Sequence, residues 1–113
     1  MDPLARARAL CEALPEVTCR SNAWADVLKV RNRVVAYVLQ VDDARLLVVN
    51  ADPEEIPFLA AGGHPFFVPG GGARNRIGVV LDDSTDWDEV AELVEESYRR
   101  VAPKALLALL PAR

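Results

Sequence analysis

Three β-patterned runs lie between Val27 and Asn50, and the links between them are too short for anything but antiparallel pairing. The run at 27–30 is joined to the run at 34–41 through Arg31-Asn32-Arg33, and Asp42-Asp43 turns the chain toward 45–50. Parallel strands would need long crossovers, and no room exists for them here. The central run, Val34-Val35-Ala36-Tyr37-Val38-Leu39-Gln40-Val41, is β-branched and aromatic and is the strongest strand in the chain. The segment therefore folds as an antiparallel meander.

Helix signals flank it. Asp2-Pro3 opens a first helix, because Asp can cap free amides and proline at the first helical position loses no needed N–H. Leu4, Ala7, Cys11 and Leu14 share one face with Leu10 beside them, Arg6, Arg8 and Glu12 face solvent, and Pro15 ends the helix. Asp52-Pro53-Glu54-Glu55 reads as a second helix start, but Pro57 limits it to a short or irregular helix ending at Gly62-Gly63. The runs 66–68 and 77–81 predict two more strands around the loop 69–76. Asp86 with Glu89 three residues on starts the last long helix, whose apolar stripe is Trp87, Val90, Ala91, Val94, Tyr98 and Val101. Glu95–Arg99 and Glu96–Arg100 fall at favourable spacing on it. Pro103 breaks it, and 104–110 forms a short closing helix. The fold class is α+β, an antiparallel β-sheet flanked by N- and C-terminal helices, in a single domain over 1–113.

Composition agrees. The chain has 113 residues, 51% hydrophobic and 27% charged, enough to bury about two-thirds of its unfolded surface in one core. No apolar run approaches the ~20 residues that span a bilayer, and the first residues lack a basic segment followed by an apolar stretch. A cytoplasmic protein with no membrane partner is expected. The net charge of −4 is uneven: residues 1–49 carry +1, 50–81 carry −1 and 82–113 carry −4. Such a balance is a poor footprint for generic nucleic-acid binding, which needs several phosphates neutralised.

The chemistry-bearing residues exclude more than they suggest. Cys11 and Cys19 are too few for a disulfide scaffold or an all-thiolate zinc site, and read as reduced thiols. His64 is the single histidine, in a Gly-Gly-His-Pro turn with no motif tying it to Ser21, Ser84 or a cysteine. Asp82, Asp83, Asp86 and Asp88 lack the glycine and distal glutamate of a calcium loop and read as a solvated turn and helix cap. Gly70-Gly71-Gly72 is followed by neither Lys-Ser/Thr nor a helix, so it is a mobile hairpin tip rather than a phosphate loop. No catalytic residue, metal site or cofactor is expected. Trp24 with Lys29, Arg31 and Arg33 is the remaining constellation. Alternation sets the three cations on one side, where they either contact phosphates or guard a sheet edge.

The order of segments resembles the MmcQ/YjbR family. The resemblance lies in Arg8-Ala9-Leu10-Cys11-Glu12-Ala13-Leu14-Pro15-Glu16-Val17-Thr18 and in Leu28-Lys29-Val30-Arg31-Asn32-Arg33-Val34-Val35-Ala36. It continues through Phe66-Phe67-Val68-Pro69 and the stretch from Trp87 to Arg99, then Ala102-Pro103-Lys104. The resemblance implies the double-wing arrangement and the label DNA-binding, which fold alone does not carry. Asn32 stands at the family's common turn glycine, a mild change because Asn tolerates positive φ. Arg74-Asn75-Arg76 stands where relatives have an Arg-Gly-Trp-like segment, trading a stacking ring for a charge.

The expected function is a non-catalytic binding module. DNA is the ligand implied by the resemblance, with Lys29, Arg31, Arg33, Arg74 and Arg76 on phosphates and Trp24 stacking or shaping the groove. A protein or small-molecule ligand is the alternative, favoured by the net negative charge, the glycine loop and the aromatics. The nucleic-acid reading requires the tips at 31–33 and 70–76 to lie side by side, at one end of the sheet, so that their cations make a common face.

Overall fold

The computed structural model describes residues 2–111. The elements run α1 (Pro3–Glu12), β1 (Thr18–Ser21), β2 (Asp26–Val30), β3 (Arg33–Val41), β4 (Ala44–Asn50) and α2 (Ile56–Ala61). β5 (Phe66–Phe67), β6 (Arg76–Leu81), α3 (Trp87–Val101) and α4 (Lys104–Leu107) complete the order. The strands form one antiparallel sheet, ordered β1-β2-β3-β4-β6-β5. The fold is α+β, with helices at both ends of the chain.

The helix ends follow their capping chemistry. Asp2 accepts the N–H of Ala5 at 3.2 Å, and Asp86 accepts those of Asp88 and Glu89 at 3.1 and 3.2 Å. The second helix begins later than Asp52 implies. Asp52 instead accepts the Glu54 N–H at 2.9 Å in a turn, and α2 starts at Ile56. Pro57 then occupies the first helical turn, where its missing N–H has no partner to lose. The last helix is also shorter than 104–110.

Tight turns set the meander. Arg31 and Asn32 both take positive φ, 48° and 67°, in the two-residue link between β2 and β3. That left-handed pair matches the strand twist of a hairpin, and Asn at the second position adopts it readily. β1 adds a strand that the sequence pattern leaves unresolved, pairing Thr18 with Lys29 and Arg20 with Val27.

Alternation divides the sheet into two faces. Leu28, Val30, Ala36, Val38, Leu47, Val49, Ile77, Val79 and Leu81 are buried on one. Ala7 and Cys11 of α1, Ile56 of α2, Val90, Val94 and Tyr98 of α3, and Leu106 of α4 join them in one core. The helices therefore lie on that side. Tyr98 is completely buried, and its hydroxyl donates to the Pro15 carbonyl at 2.9 Å. The opposite face carries Thr18, Arg20, Val27, Lys29, Val34, Tyr37, Arg76 and Gly78.

One irregularity shapes that open face. Leu28 pairs with Ala36 but Lys29 pairs with Val34, so Val35 is an extra residue on β3. Val35 and Ala36 are consequently both buried. Ser97 of α3 reaches the bulge and donates to the Val35 carbonyl. The same hydroxyl accepts the Asn50 backbone N–H at 2.9 Å and its side-chain amide at 3.0 Å.

Candidate nucleic-acid interface

β3 starts and β4 ends at the same edge of the sheet, because Ala36 pairs with Val49. β6 starts there too, since Arg76 pairs with Asn50. The β2–β3 turn and the 69–75 loop therefore stand at the same end, two strands apart, a separation of about 10 Å at normal strand spacing. The end of β4 lies between them.

The cations of these tips do not all face one way. Lys29 pairs with Val34 and lies on the open face. Arg33 pairs with the buried Val30, so it leaves the sheet on the helix side, at the rim. A two-residue turn makes residues 30 and 33 opposite partners, and this overrides the alternation expected across 29, 31 and 33. Arg31 turns toward the helix side and makes a two-pronged pair with Glu16, at 2.6 and 3.0 Å. The Arg31 hydrogen bond holds the Glu16 carboxyl below its usual pKa and correspondingly raises that of the guanidinium. Arg31 is already neutralised.

Trp24 stands apart from the basic tips. It is 80% exposed in the β1–β2 turn, where Asn22 accepts the N–H groups of Trp24 and Ala25 at 2.8 Å each. That turn and the β2–β3 turn lie at opposite ends of β2, so Trp24 does not share a surface with Arg31 or Arg33. Below it, Asp26 is held by Arg8 at 2.6 Å and by the Ser21 hydroxyl, and these bonds lower its pKa, Ser21 contributing most.

Arg76 crosses β4 and sets its guanidinium 5.0 Å from the centroid of the Tyr37 ring. Its Nε atom is buried and has no hydrogen-bond partner among the described residues. Attraction to the ring's electron-rich face holds the charge on the open surface. The aromatic ring beside this end of β6 is thus Tyr37, supplied by β3. Arg74 is exposed in the loop, whose Gly71 and Gly72 have φ of 93° and 78°, a conformation that glycine adopts without strain.

Ion pairing sorts the remaining cations. Arg8, Arg45, Arg99 and Arg100 pair with Asp26, Asp2, Glu95 and Asp52, and Arg6 lies over Trp87 at 4.4 Å. Arg20, Lys29, Arg33, Arg74 and Arg76 form no ion pair among the described residues. Arg20 carries no motif in the sequence. Only its register against Val27, two pairs along from Thr18–Lys29, brings it to the open face. Two adjoining clefts mark that region. Thr18, Arg20, Val27, Lys29 and Asn32 line one of about 400 Å³. Arg20, Val27, Lys29, Val34 and Tyr37 contribute to another of about 420 Å³.

His64 belongs to a different cluster. Its Nε2 lies 2.7 Å from Asp82, which also accepts the Ser84 hydroxyl at 2.6 Å and the Ser84 N–H at 2.8 Å. These bonds, the Ser84 hydroxyl foremost, bring Asp82 down to about 2. Ser84 thus donates to the carboxylate and not to the imidazole. Cys11 is buried and Cys19 half-buried, both free, and burial pushes the Cys11 thiol up to about 12. Among the described residues no group of three or more His, Cys, Asp or Glu is arranged to hold a metal ion. No helix there is long and apolar enough to cross a membrane.

A sequence model described as YjbR matches residues 12–100, from the last residue of α1 into the final turn of α3. The chain belongs to the YjbR family. This YjbR chain has a fold similar to that of the Deinococcus radiodurans protein DR2400, whose crystal structure carries the family domain DUF419. The two superpose with a TM-score of 0.78 at 24% identity, covering 98% of this chain and 91% of that one. No curated protein matches the chain.

Proposed function

We propose that this YjbR domain is a non-catalytic binding module that holds DNA on its helix-free sheet face. The observation that carries the reading is the sorting of charge. Arg8, Arg31, Arg45, Arg99 and Arg100 are matched by carboxylates, and Arg6 lies over Trp87. Arg20, Lys29, Arg74 and Arg76, by contrast, form no ion pair among the described residues and lie on or beside one face, with Arg33 at its rim and Lys104 apart from them on α4. Unpaired cations spaced along a surface are what a phosphate backbone requires, since each neutralised phosphate releases a condensed counterion. Local charge outweighs the net −4 at this distance, because exposed charges farther apart than about 8–10 Å are largely screened at moderate salt. A small-molecule ligand is the second reading, supported by clefts of about 400 Å³, within the size range of small-ligand sites.

Titration of labelled duplex and single-stranded DNA at low and moderate salt tests the proposal. Affinity is expected to fall linearly on a double-logarithmic salt plot. Absence of salt-sensitive binding even at low ionic strength removes DNA as the ligand. A metabolite thermal-shift screen then becomes the informative experiment, since ligand at 100 times its dissociation constant adds about 2.7 kcal/mol of stability.

A further inference from the structure

We infer that the open face takes a single unpaired strand, with one base inserted beside Tyr37 in the cleft over β2 and its flanking phosphates on Lys29 and Arg20. The inference rests on the DNA reading above and narrows it to one form of the ligand.

Tyr37 lies between Arg76 and an open cleft. Arg76 approaches its ring from the β6 side and covers it at 5.0 Å. The cleft of about 420 Å³ lies on the other side, over β1 and β2, and Tyr37 forms part of its wall. The ring therefore has one side occupied by a cation and another facing a cavity. Val27 and Val34 supply an apolar floor beside it, and Arg20 and Lys29 stand at the same cavity. An aromatic wall, an apolar floor and two unpaired cations are the components that bind a base and its phosphates.

The dimensions favour a strand over a duplex. The cleft is at the small end of small-ligand sites and suits one flat ring, with its flanking phosphates at the cations on the cleft wall. In a duplex the bases are stacked and paired, so no base can enter without being unstacked and flipped out at an energetic cost. Duplex readers commonly insert a helix or a two-stranded ribbon into the major groove. Here the helices lie on the opposite side of the sheet and contribute to the core. The cations nearest Tyr37 sit within the face, beside apolar residues, and not on a projecting helix.

Fluorescence anisotropy with a short labelled oligothymidylate and a mixed-sequence duplex of the same length tests the inference at one low salt concentration. The single strand is expected to bind more tightly than the duplex. Tyr37→Ala is expected to weaken single-strand binding about 5- to 150-fold, the range for one base–aromatic stack, while Tyr37→Phe keeps most of it. Circular dichroism and thermal melting of both variants verify that the sheet is intact. If Tyr37→Ala unfolds, Tyr37→Leu, which keeps an apolar side chain but no ring, carries the same expectation. Equal or tighter binding of the duplex overturns the single-strand inference while leaving DNA binding in place. An unchanged affinity in a folded ring-deleted variant overturns the stacking site. Failure of both oligonucleotides to bind overturns the DNA reading, and this inference with it.

Discussion

Ser97 and Asn50 are joined across the core: the Ser97 hydroxyl on α3 accepts the Asn50 backbone N–H at 2.9 Å while donating to the Val35 carbonyl. A helix side chain thus completes the hydrogen bonding of β3 and β4 just beyond Ala36–Val49, the last pair in register at that end. Both groups lose their partner in Ser97→Ala, in a position with no exposure. The variant is expected to lose about 1–3 kcal/mol, the cost of leaving a buried polar group unsatisfied. Urea unfolding should show a lower midpoint at an unchanged slope. A midpoint equal to that of the parent would mean that the bulge is satisfied by other means.

A second expectation concerns close packing on the open face. Gly78 lies beneath the Phe67 ring, and a Cβ built at position 78 would overlap the ring's far edge. Gly78→Ala therefore has to displace Phe67. A loss of about 1–3 kcal/mol is expected, as for other overpacked sites. The same substitution in a Phe67→Ala background should cost nothing, because the overlapping atoms are gone. A double-mutant cycle measures the difference directly. Additive effects would place the strain elsewhere.

The His64–Asp82–Ser84 cluster makes a pH-dependent contribution. Asp82 has an ordinary value of 3.8 and is lowered to about 2 in the folded protein. A carboxyl with a depressed folded pKa stabilises the protein above its unfolded value, and that contribution disappears as pH falls through the folded one. Asp82→Asn should therefore melt below the parent at neutral pH, with the gap closing between about pH 4 and pH 2. The group is exposed, so the gap is small. A gap that persists unchanged at pH 2 would assign it to lost packing and not to charge.

Much of the architecture was legible because local signals agreed with one another. Asp2-Pro3 and Asp86 announce helix starts, and Asn32 marks a left-handed turn, φ 67°. β1 was not legible, since Thr18-Cys19-Arg20-Ser21 is short and has a single apolar residue. Its status as a strand comes from pairing with β2. The site was legible only in part. Lys29, Arg74 and Arg76 are cations in the sequence, but their neighbours are set by register across several strands. Arg20 and Tyr37 join them through pairings with Val27. Trp24 could have been separated from Arg31 by sequence alone, because the two residues flank opposite ends of the predicted strand 27–30. Glu16 is different: fifteen residues before Arg31, it meets that guanidinium only after α1 and β1 have packed.

That pair gives the sharpest test of the charge argument. Arg31 is bound to Glu16 through two hydrogen bonds, whereas Lys29, two residues earlier, has no ion pair among the described residues. A cation already matched by a carboxylate releases little when it meets a phosphate. Lys29→Gln is therefore expected to lower the salt slope for DNA binding by about 0.7–0.9, the value of one phosphate contact. Arg31→Gln should lower it by much less. The converse substitution, Glu16→Gln, removes the carboxylate charge and frees Arg31, so its slope should steepen and its affinity at low salt should rise. Equal losses for Lys29→Gln and Arg31→Gln, with no gain for Glu16→Gln, would show that ion pairing does not decide which cations reach the ligand.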